Sequence, residues 1–281
     1  MQVRSARLSF ASLSTLILAG AFAVGCSVSV EVKPPHRYNG SEQTKAANAD
    51  FNLEEITITN QNGGLQVVGD SSVTKITALV KPFALAEEGT PQADADAALK
   101  EIYDSLTIDE SSGKVTVNCG QARSAHGKVS TGNTGCELVV KVPTGKGGVK
   151  LSATNGNGDL TASGLTAADG GQVSVKSNNG TVKATITGGA KVSSGNGDVE
   201  ANLAPTKGST IDVSTENGDI DLSLPSDFAA DVISLKAGKG VNISGFSDLT
   251  SSSTSRGTKG AGAASLTAKA SDLGALNIKS R

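Results

Sequence analysis

Aromatic and basic residues are scarce in this 281-residue chain. It has no Trp, two Tyr, six Phe and two His. Lys and Arg number 25 against 27 Asp and Glu, a formal net charge of -2, so there is no basic surplus of the kind that nucleic-acid binding requires. We therefore expect no nucleic-acid partner. With so few large aromatics, any core must consist of small aliphatic side chains.

Long hydrophobic runs are also missing, apart from one near the N-terminus. Residues 1–25 have the features of a secretory signal, with Arg4 and Arg7 before an apolar stretch too short to span a bilayer. The stretch ends at Ala23-Val24-Gly25-Cys26, which resembles the lipobox of bacterial lipoproteins. The resemblance implies cleavage before Cys26, acylation of that cysteine and anchoring to a membrane. Ser27 then favours the outer membrane, and the polar segment 26–50 predicts a tether.

Glycine is abundant, with 34 residues, and it marks a repeat. Five copies of a strand–turn–strand phrase cover residues 149–246, aligned on turn glycines spaced 17 to 22 residues apart: Gly158, Gly180, Gly197, Gly218 and Gly240. Two residues after the first four lie Leu160, Val182, Val199 and Ile220, in strict alternation with polar positions. Stacked coils would join these side chains into one buried column.

The repeat predicts an all-β fold, a single-stranded β-solenoid of roughly 20-residue coils. A β-sandwich of ordinary hairpins is the alternative, because Asn-Gly between alternating runs is also a hairpin signal. In the fifth copy, Val241 and Ile243 fall one position early, which predicts a slipped or shortened turn. The Ser/Gly/Thr-rich segment 247–265 predicts a mobile loop, and residues 264–279 predict one more coil at the end of the solenoid.

One helix interrupts the strands in the first half. Thr90-Pro91 is a plausible N-cap and first helical position, and Ala95, Ala98, Leu99 and Ile102 follow at helical spacing. We predict a helix at about residues 91–104 that covers an open end or edge of the sheet.

Two more cysteines flank a loop at residues 119–136. In the oxidising compartment that the signal implies, Cys119 and Cys136 should form a disulfide. The alternative is a metal site of both cysteines with His126, although no fourth ligand lies nearby.

Acidic residues recur after the turns. Asp159, Asp198 and Asp219 follow their turn glycines, and Glu200 and Asp221 lie two residues further on. Adjacent coils would bring them about 5 Å apart, as in a cation site or the carboxylate pair of a retaining glycosidase. The alternative is turn chemistry on a solvated edge. We predict no cofactor, no metal and no catalytic residue.

The order of the segments indicates a family. A strand and helix, then DAALKEIYDSLTIDESSGKVTVNC, ELVVKVP and coils such as TENGDIDLSLP resemble the bacterial putative-adhesin domain, a β-solenoid family of unknown function. The resemblance covers about residues 51–278, so we assign 51–281 to this domain. Taking the chain as a whole, we predict a lipid-anchored, non-catalytic module of the cell envelope that acts in adhesion, scaffolding or binding of a glycan or an envelope protein. An envelope-stress or signalling module is the alternative, and a polysaccharide lyase or hydrolase a further one.

Overall fold

The computed structural model describes residues 34–48, 55–111, 113–144, 150–167, 171–257 and 263–281. The predicted signal peptide and Cys26 lie outside these residues. The described strands are β1 (His36–Asn39), β2 (Gln43–Ala46), β3 (Glu55–Asn62), β4 (Leu65–Asp70), β5 (Thr77–Ala86), β6 (Thr107–Ser111), β7 (Lys114–Cys119), β8 (Thr134–Pro143), β9 (Lys150–Asn157), β10 (Leu160–Thr166), β11 (Gln172–Asn179), β12 (Val182–Thr187), β13 (Gly189–Asn196), β14 (Val199–Ala204), β15 (Thr210–Asn217), β16 (Ile220–Leu224), β17 (Ala230–Lys236), β18 (Val241–Ser244), β19 (Ala264–Lys269) and β20 (Leu276–Ser280). The helix α1 spans Gln92–Ser105, and a short 3₁₀ turn spans Thr131–Asn133.

These strands form two mainly parallel sheets. The first has the order β1-β5-β8-β4-β10-β12-β14-β16-β20-β18, with β2 also on β5, and the second has the order β17-β19-β15-β13-β11-β9-β3-β7-β6. Each turn of the chain gives one strand to each sheet, which makes the molecule a β-solenoid as predicted. We number these coils along the chain: 1 (β3/β4), 2 (β7/β8), 3 (β9/β10), 4 (β11/β12), 5 (β13/β14), 6 (β15/β16), 7 (β17/β18) and 8 (β19/β20).

The register of coils 3 to 6 agrees with the alignment on the turn glycines. Leu160 pairs with Val182, Val182 with Val199, and Val199 with Ile220. All four side chains are fully buried. At about 25 cal/mol per Å² of apolar surface removed from water, this continuous aliphatic column is the main stabilising contribution of the stack.

The coils do not stack in chain order. Their spatial order is 2-1-3-4-5-6-8-7, so the chain exchanges two neighbouring coils at each end. The prediction that residues 264–279 end the solenoid is therefore wrong in space: coil 8 lies between coils 6 and 7. Coil 7 pairs Val241 with Leu276, which aligns Lys239, not Gly240, with Gly274 of coil 8. This alignment explains the early positions of Val241 and Ile243.

The N-terminal end is covered by several elements. The helix begins one residue later than predicted, at Gln92, and the Thr90 hydroxyl donates to Glu87 O at 2.8 Å instead of capping the helix. Its buried residues are Ala95, Ala98, Leu99 and Ile102, as expected, and it packs on β5, β7 and β8. A helix at this position closes the apolar end of the stack.

The predicted tether is partly a strand region. Residues 36–39 and 43–46 form β1 and β2, which pair antiparallel with β5. Both strands are polar and mostly exposed because they lie on the outside of β5, so no apolar alternation marks them. They occupy the strand edge that β5 would otherwise leave open.

The predicted mobile loop is ordered over residues 247–257. Arg256 exchanges backbone hydrogen bonds with Ala230, at 2.9 and 2.8 Å, on the outer edge of β17. Its guanidinium donates to Asp248 Oδ1 at 2.8 Å and to the carbonyl groups of Ser226 and Phe228. Segment 247–257 therefore covers part of the C-terminal end.

Candidate functional site

A groove runs along the outward face of the first sheet, across coils 3 to 6 and the adjacent coil 8. It has a volume of about 340 Å³. Two rows of outward side chains line it, three and five residues after the turn glycine of each coil, together with alanines of the same strands. The first row is Thr161, Lys183, Glu200 and Asp221, and the second is Ser163, Thr185, Asn202, Ser223 and Lys279.

Parallel pairing places the members of each row on successive rungs. Lys183 pairs in register with Glu200, Glu200 with Asp221, and Asp221 with Asn277. The Lys183 ammonium lies 2.9 Å from Glu200 Oε2, and Asn277 donates to Asp221 Oδ1 at 2.8 Å. The groove thus presents ammonium, carboxylate, amide and hydroxyl groups in a regular array.

The surroundings of Glu200 and Asp221 differ from those of a glycosidase acid–base pair. Such a pair needs one carboxyl group that holds a proton, which burial in apolar surroundings favours. Both side chains are exposed, and each is an acceptor for a neighbouring donor, Lys183 or Asn277.

The three turn aspartates lie in one column, as predicted, but each bonds to the backbone. Asp159 Oδ1 accepts the N–H of Thr181 at 2.9 Å, and Asp198 Oδ1 accepts that of Asp219 at 2.8 Å. Asp219 Oδ1 accepts the N–H of Ala275 at 2.8 Å. The column therefore joins one coil to the next. No group of three His, Cys, Asp or Glu side chains in the described residues is arranged to hold a metal ion.

The described structure joins Cys119 and Cys136 in a disulfide, with 6.8 Å between their Cα atoms. The bond links β7 of the second sheet to β8 of the first within coil 2. Because both sulfurs are used, the alternative metal site with His126 does not form.

His126 instead contacts the helix. Its Nε2 lies 2.8 Å from Glu101 Oε2 and 3.4 Å from Ser124 Oγ. The hydrogen bond from His126 is the largest of the effects that lower the pKa of Glu101 to about 2. A Ser-His-acid triad needs the two partners on different ring nitrogens. Here both partners approach the same nitrogen, so the cluster pins the disulfide loop to α1 and is not a proton relay.

Sequence reasoning missed the second row of the groove. Ser163, Thr185, Asn202 and Ser223 lie five residues after their turn glycines, at the polar positions between the inward residues. Polar residues that recur at this one offset were the sequence signal that could have predicted the second row. It also missed the amide ladder, the row of asparagines directly before the turn glycines: Asn62, Asn157, Asn179, Asn196 and Asn217. In this ladder the Nδ2 of every member after Asn62 donates to the Oδ1 of the preceding member at 2.7 to 2.8 Å.

The described residues contain no helix with the length and apolar character that crossing a bilayer requires. The fold is similar to two solved structures. One is a Clostridium sporogenes protein described as a putative cell adhesion protein, 16% identical, with a TM-score of 0.46 over 86% of this chain and 99% of that chain. The other is a Bacteroides fragilis protein described as a putative adhesin, 12% identical, with a TM-score of 0.33 over 86% of this chain and 97% of that chain. At these TM-scores neither likeness bears on function.

No curated protein is significantly similar to the chain in sequence. A family model matches residues 29–279, nearly the whole described solenoid with its helix and both covered ends. The predicted resemblance to a β-solenoid family of unknown function is thereby confirmed. The chain belongs to the Toastrack DUF4097 family.

Proposed function

We propose that this protein is a non-catalytic, adhesin-like binding module of the bacterial cell envelope, anchored through acylated Cys26, which holds an extended polar ligand in the groove of the first sheet. The observation that carries the proposal is the groove itself. Two parallel rows of hydroxyl, amide and charged groups repeat along it at the spacing of the strands, about 4.8 Å. A polymer chain can engage such an array over several rungs.

The lining of the groove favours a polysaccharide chain over a protein. Hydroxyl, amide and carboxylate groups supply both donors and acceptors for a polyhydroxylated ligand. Protein partners, in contrast, usually place large aromatic or arginine anchors in a fitted pocket, and the groove is lined by no aromatic, leucine or arginine residue. Asn202 Oδ1, in the middle of the second row, is buried without a hydrogen-bond donor in the described structure. A bound hydroxyl would relieve the cost of such an acceptor.

The binding test compares two charge reversals in the same coil. Lys183→Glu changes the groove, whereas Lys176→Glu makes the same change on the outward face of β11 in the second sheet. The probe is envelope polysaccharide purified from the source cells and immobilised. We expect Lys183→Glu to weaken binding of the full mature chain about tenfold, since one charged contact contributes about 1.5 kcal/mol. Lys176→Glu should bind as the unchanged protein does. An equal loss of affinity in both variants, or no binding by the unchanged protein, would contradict the proposal that the ligand binds in the groove.

The location is tested separately by protease treatment of intact and lysed cells. Cleavage on intact cells supports an adhesin-like role, and release of a Cys26→Ser variant into the soluble fraction supports the lipid anchor. Protection of the domain until the cells are lysed would place it in the periplasm. That outcome would contradict adhesion and favour an envelope-sensing module.

A further inference from the structure

The chain contains seven Asn-Gly pairs, at Asn39, Asn62, Asn155, Asn157, Asn179, Asn196 and Asn217. Asn-Gly is the dipeptide most prone to deamidation. The backbone nitrogen of glycine attacks the asparagine Cγ, a C–N bond forms, and the side-chain nitrogen leaves as ammonia. Water then opens the cyclic imide to aspartate or isoaspartate. Glycine favours the reaction because it has no Cβ to hinder the attack.

At most of the stacked turns, the backbone nitrogen of the glycine already donates a hydrogen bond. A nitrogen that donates its proton to a carbonyl cannot approach Cγ until that hydrogen bond breaks. Gly158 donates to Asn179 O at 2.7 Å, Gly180 to Asn196 O at 2.8 Å and Gly197 to Asn217 O at 2.8 Å. Gly63 likewise donates to Asn157 O at 2.8 Å. Each of these glycines is held by the coil stacked on its turn.

The side-chain amides are held as well. Within the amide ladder, Asn157, Asn179 and Asn196 each donate through Nδ2 to one neighbour and accept through Oδ1 from another. Ring closure must turn the side chain toward its own backbone, so it breaks both bonds. Asn62 is also fixed, since its Oδ1 accepts from Asn157 and its Nδ2 donates to Thr134 O.

The two pairs outside the ladder are protected differently. Gly40 donates its N–H to Pro82 O at 2.9 Å, and Asn39 Oδ1 accepts from Arg37. Asn155 is fully buried, and its Nδ2 donates to three carbonyl groups, of Gly63, Gly158 and Asp159.

The last rung of the ladder differs from the rest. Asn217 donates to Asn196 Oδ1 at 2.8 Å, but no described group donates to its own Oδ1, and the N–H of Gly218 has no acceptor in the described structure. In the next coil, Gly274 stacks on Gly218, and the pairing of Ile220 with Leu276 puts Leu273 at the position before the turn glycine. The strands before the turn are one residue out of this register, because Ser214 pairs with Lys269. Leu273 is 78% exposed and has no amide to continue the ladder.

We infer that Asn217-Gly218 is a site of spontaneous modification, where hydrolytic deamidation proceeds selectively while the stacked Asn-Gly pairs are protected. The product carries a carboxylate at position 217 in place of the amide. It loses the Nδ2 donor to Asn196, so the modification breaks the last rung and adds a negative charge beside Asp198 and Asp219 on the turn edge.

The test is site-resolved peptide mapping of the folded mature chain after incubation at neutral pH and body temperature. We expect deamidation at Asn217 to be about a hundredfold faster than at Asn157, Asn179 and Asn196, because two further hydrogen bonds protect those sites by about tenfold each. The same chain unfolded in urea should show similar rates at all seven pairs. Equal rates in the folded protein, or a faster reaction at another pair, would overturn the inference.

Two variants of Leu273 separate the ladder from other causes. Leu273→Asn adds an amide at the position before the turn glycine of coil 8, next in line after Asn217, and should slow the reaction there about tenfold, the protection of one hydrogen bond. Leu273→Ala removes the same exposed leucine without adding a donor and should leave the rate unchanged. If Leu273→Asn fails to slow the reaction, or Leu273→Ala slows it as much, the ladder is not what protects the other pairs.

Discussion

Coils 3 to 6 and the N-terminal end of the same solenoid are stabilised in different ways. In the coils, the turns share an aliphatic column inside and an amide ladder at the turn edge, and in coils 3, 5 and 6 an aspartate also binds the next backbone. At the N-terminal end, each contact occurs once: the disulfide, the helix, the pair of Arg37 with Glu137 and the cluster around His126. In a repeat, each coil provides the contacts that the next coil needs. At an end no further coil follows, so different contacts must cover the exposed strands.

The largest expected loss of stability comes from substituting a turn glycine on which the neighbouring coil is closely stacked. Gly197 has φ of 146°, and a Cβ there would lie 2.4 Å from Gly180 O. We expect Gly197→Ala to lower the free energy of unfolding by about 4 kcal/mol, since backbone strain and overpacking each contribute about 1–3 kcal/mol. Urea unfolding followed by circular dichroism measures the change.

The matched control is Gly208→Ala, in the loop before β15. Gly208 also has a positive φ, of 74°, but a Cβ there meets nothing within 4 Å. Backbone strain alone should cost about 1 kcal/mol. If both variants lose the same stability, close stacking of the turns is not what constrains the coils.

A smaller effect, confined to the end, should follow loss of the disulfide. Replacing Cys119 and Cys136 by Ser should cost about 3 kcal/mol, because a cross-link over 17 residues restricts the unfolded chain. Hydrogen exchange should rise in β7, β8 and α1 and stay unchanged in β11 to β16. An even rise along the solenoid would show that the ends and the coils unfold as one unit.

The alignment on turn glycines predicted the register of coils 3 to 6, because Leu160, Val182, Val199 and Ile220 keep one offset. The exchange of coils 7 and 8 could not be predicted, since alternation shows that a strand is half-buried and not which strand it pairs with. The early Val241 and Ile243 showed only that coil 7 is different. Strands β1 and β2 were not predicted because their residues are polar and do not alternate with apolar ones.

The same limit applies to the candidate site. Each row of the groove is a set of residues at one offset, and the sequence shows the offset. Which offsets face a groove depends on how the first sheet curves, and that depends on the packing of both sheets. The sequence marks the ladder amides as turn residues, but their hydrogen bonds exist only between coils.

The smallest expected effect is acid sensitivity at the N-terminal end. The pKa of Glu101 falls from 4.5 to about 2, chiefly through His126, and that of Asp70 from 3.8 to about 2, through hydrogen bonds from Ser72 and then Lys141. A carboxyl group whose pKa is lowered in the folded protein stabilises the fold at any pH above its ordinary pKa. This contribution is lost as the pH falls from about 4.5 toward 2. Tm should therefore decrease across that range.

The variant Glu101→Gln should reduce this acid dependence of Tm, whereas Glu216→Gln, an exposed change on coil 6, should leave it unchanged. Differential scanning fluorimetry from pH 5 to pH 2 would compare them. A slope that Glu101→Gln does not alter would show that the charge on this residue does not stabilise the covered end.

The exchanged coils also determine how the chain can be completed. A solenoid whose coils follow chain order can grow by adding each new turn to the exposed end. Here coil 7 leaves the ribosome or the export channel before coil 8, yet its final neighbour is coil 8 and not coil 6. Residues 264–281 therefore supply an interior layer, and a chain cut before them would lack a middle turn rather than a terminal one. The stack cannot be completed until coil 8 has been made.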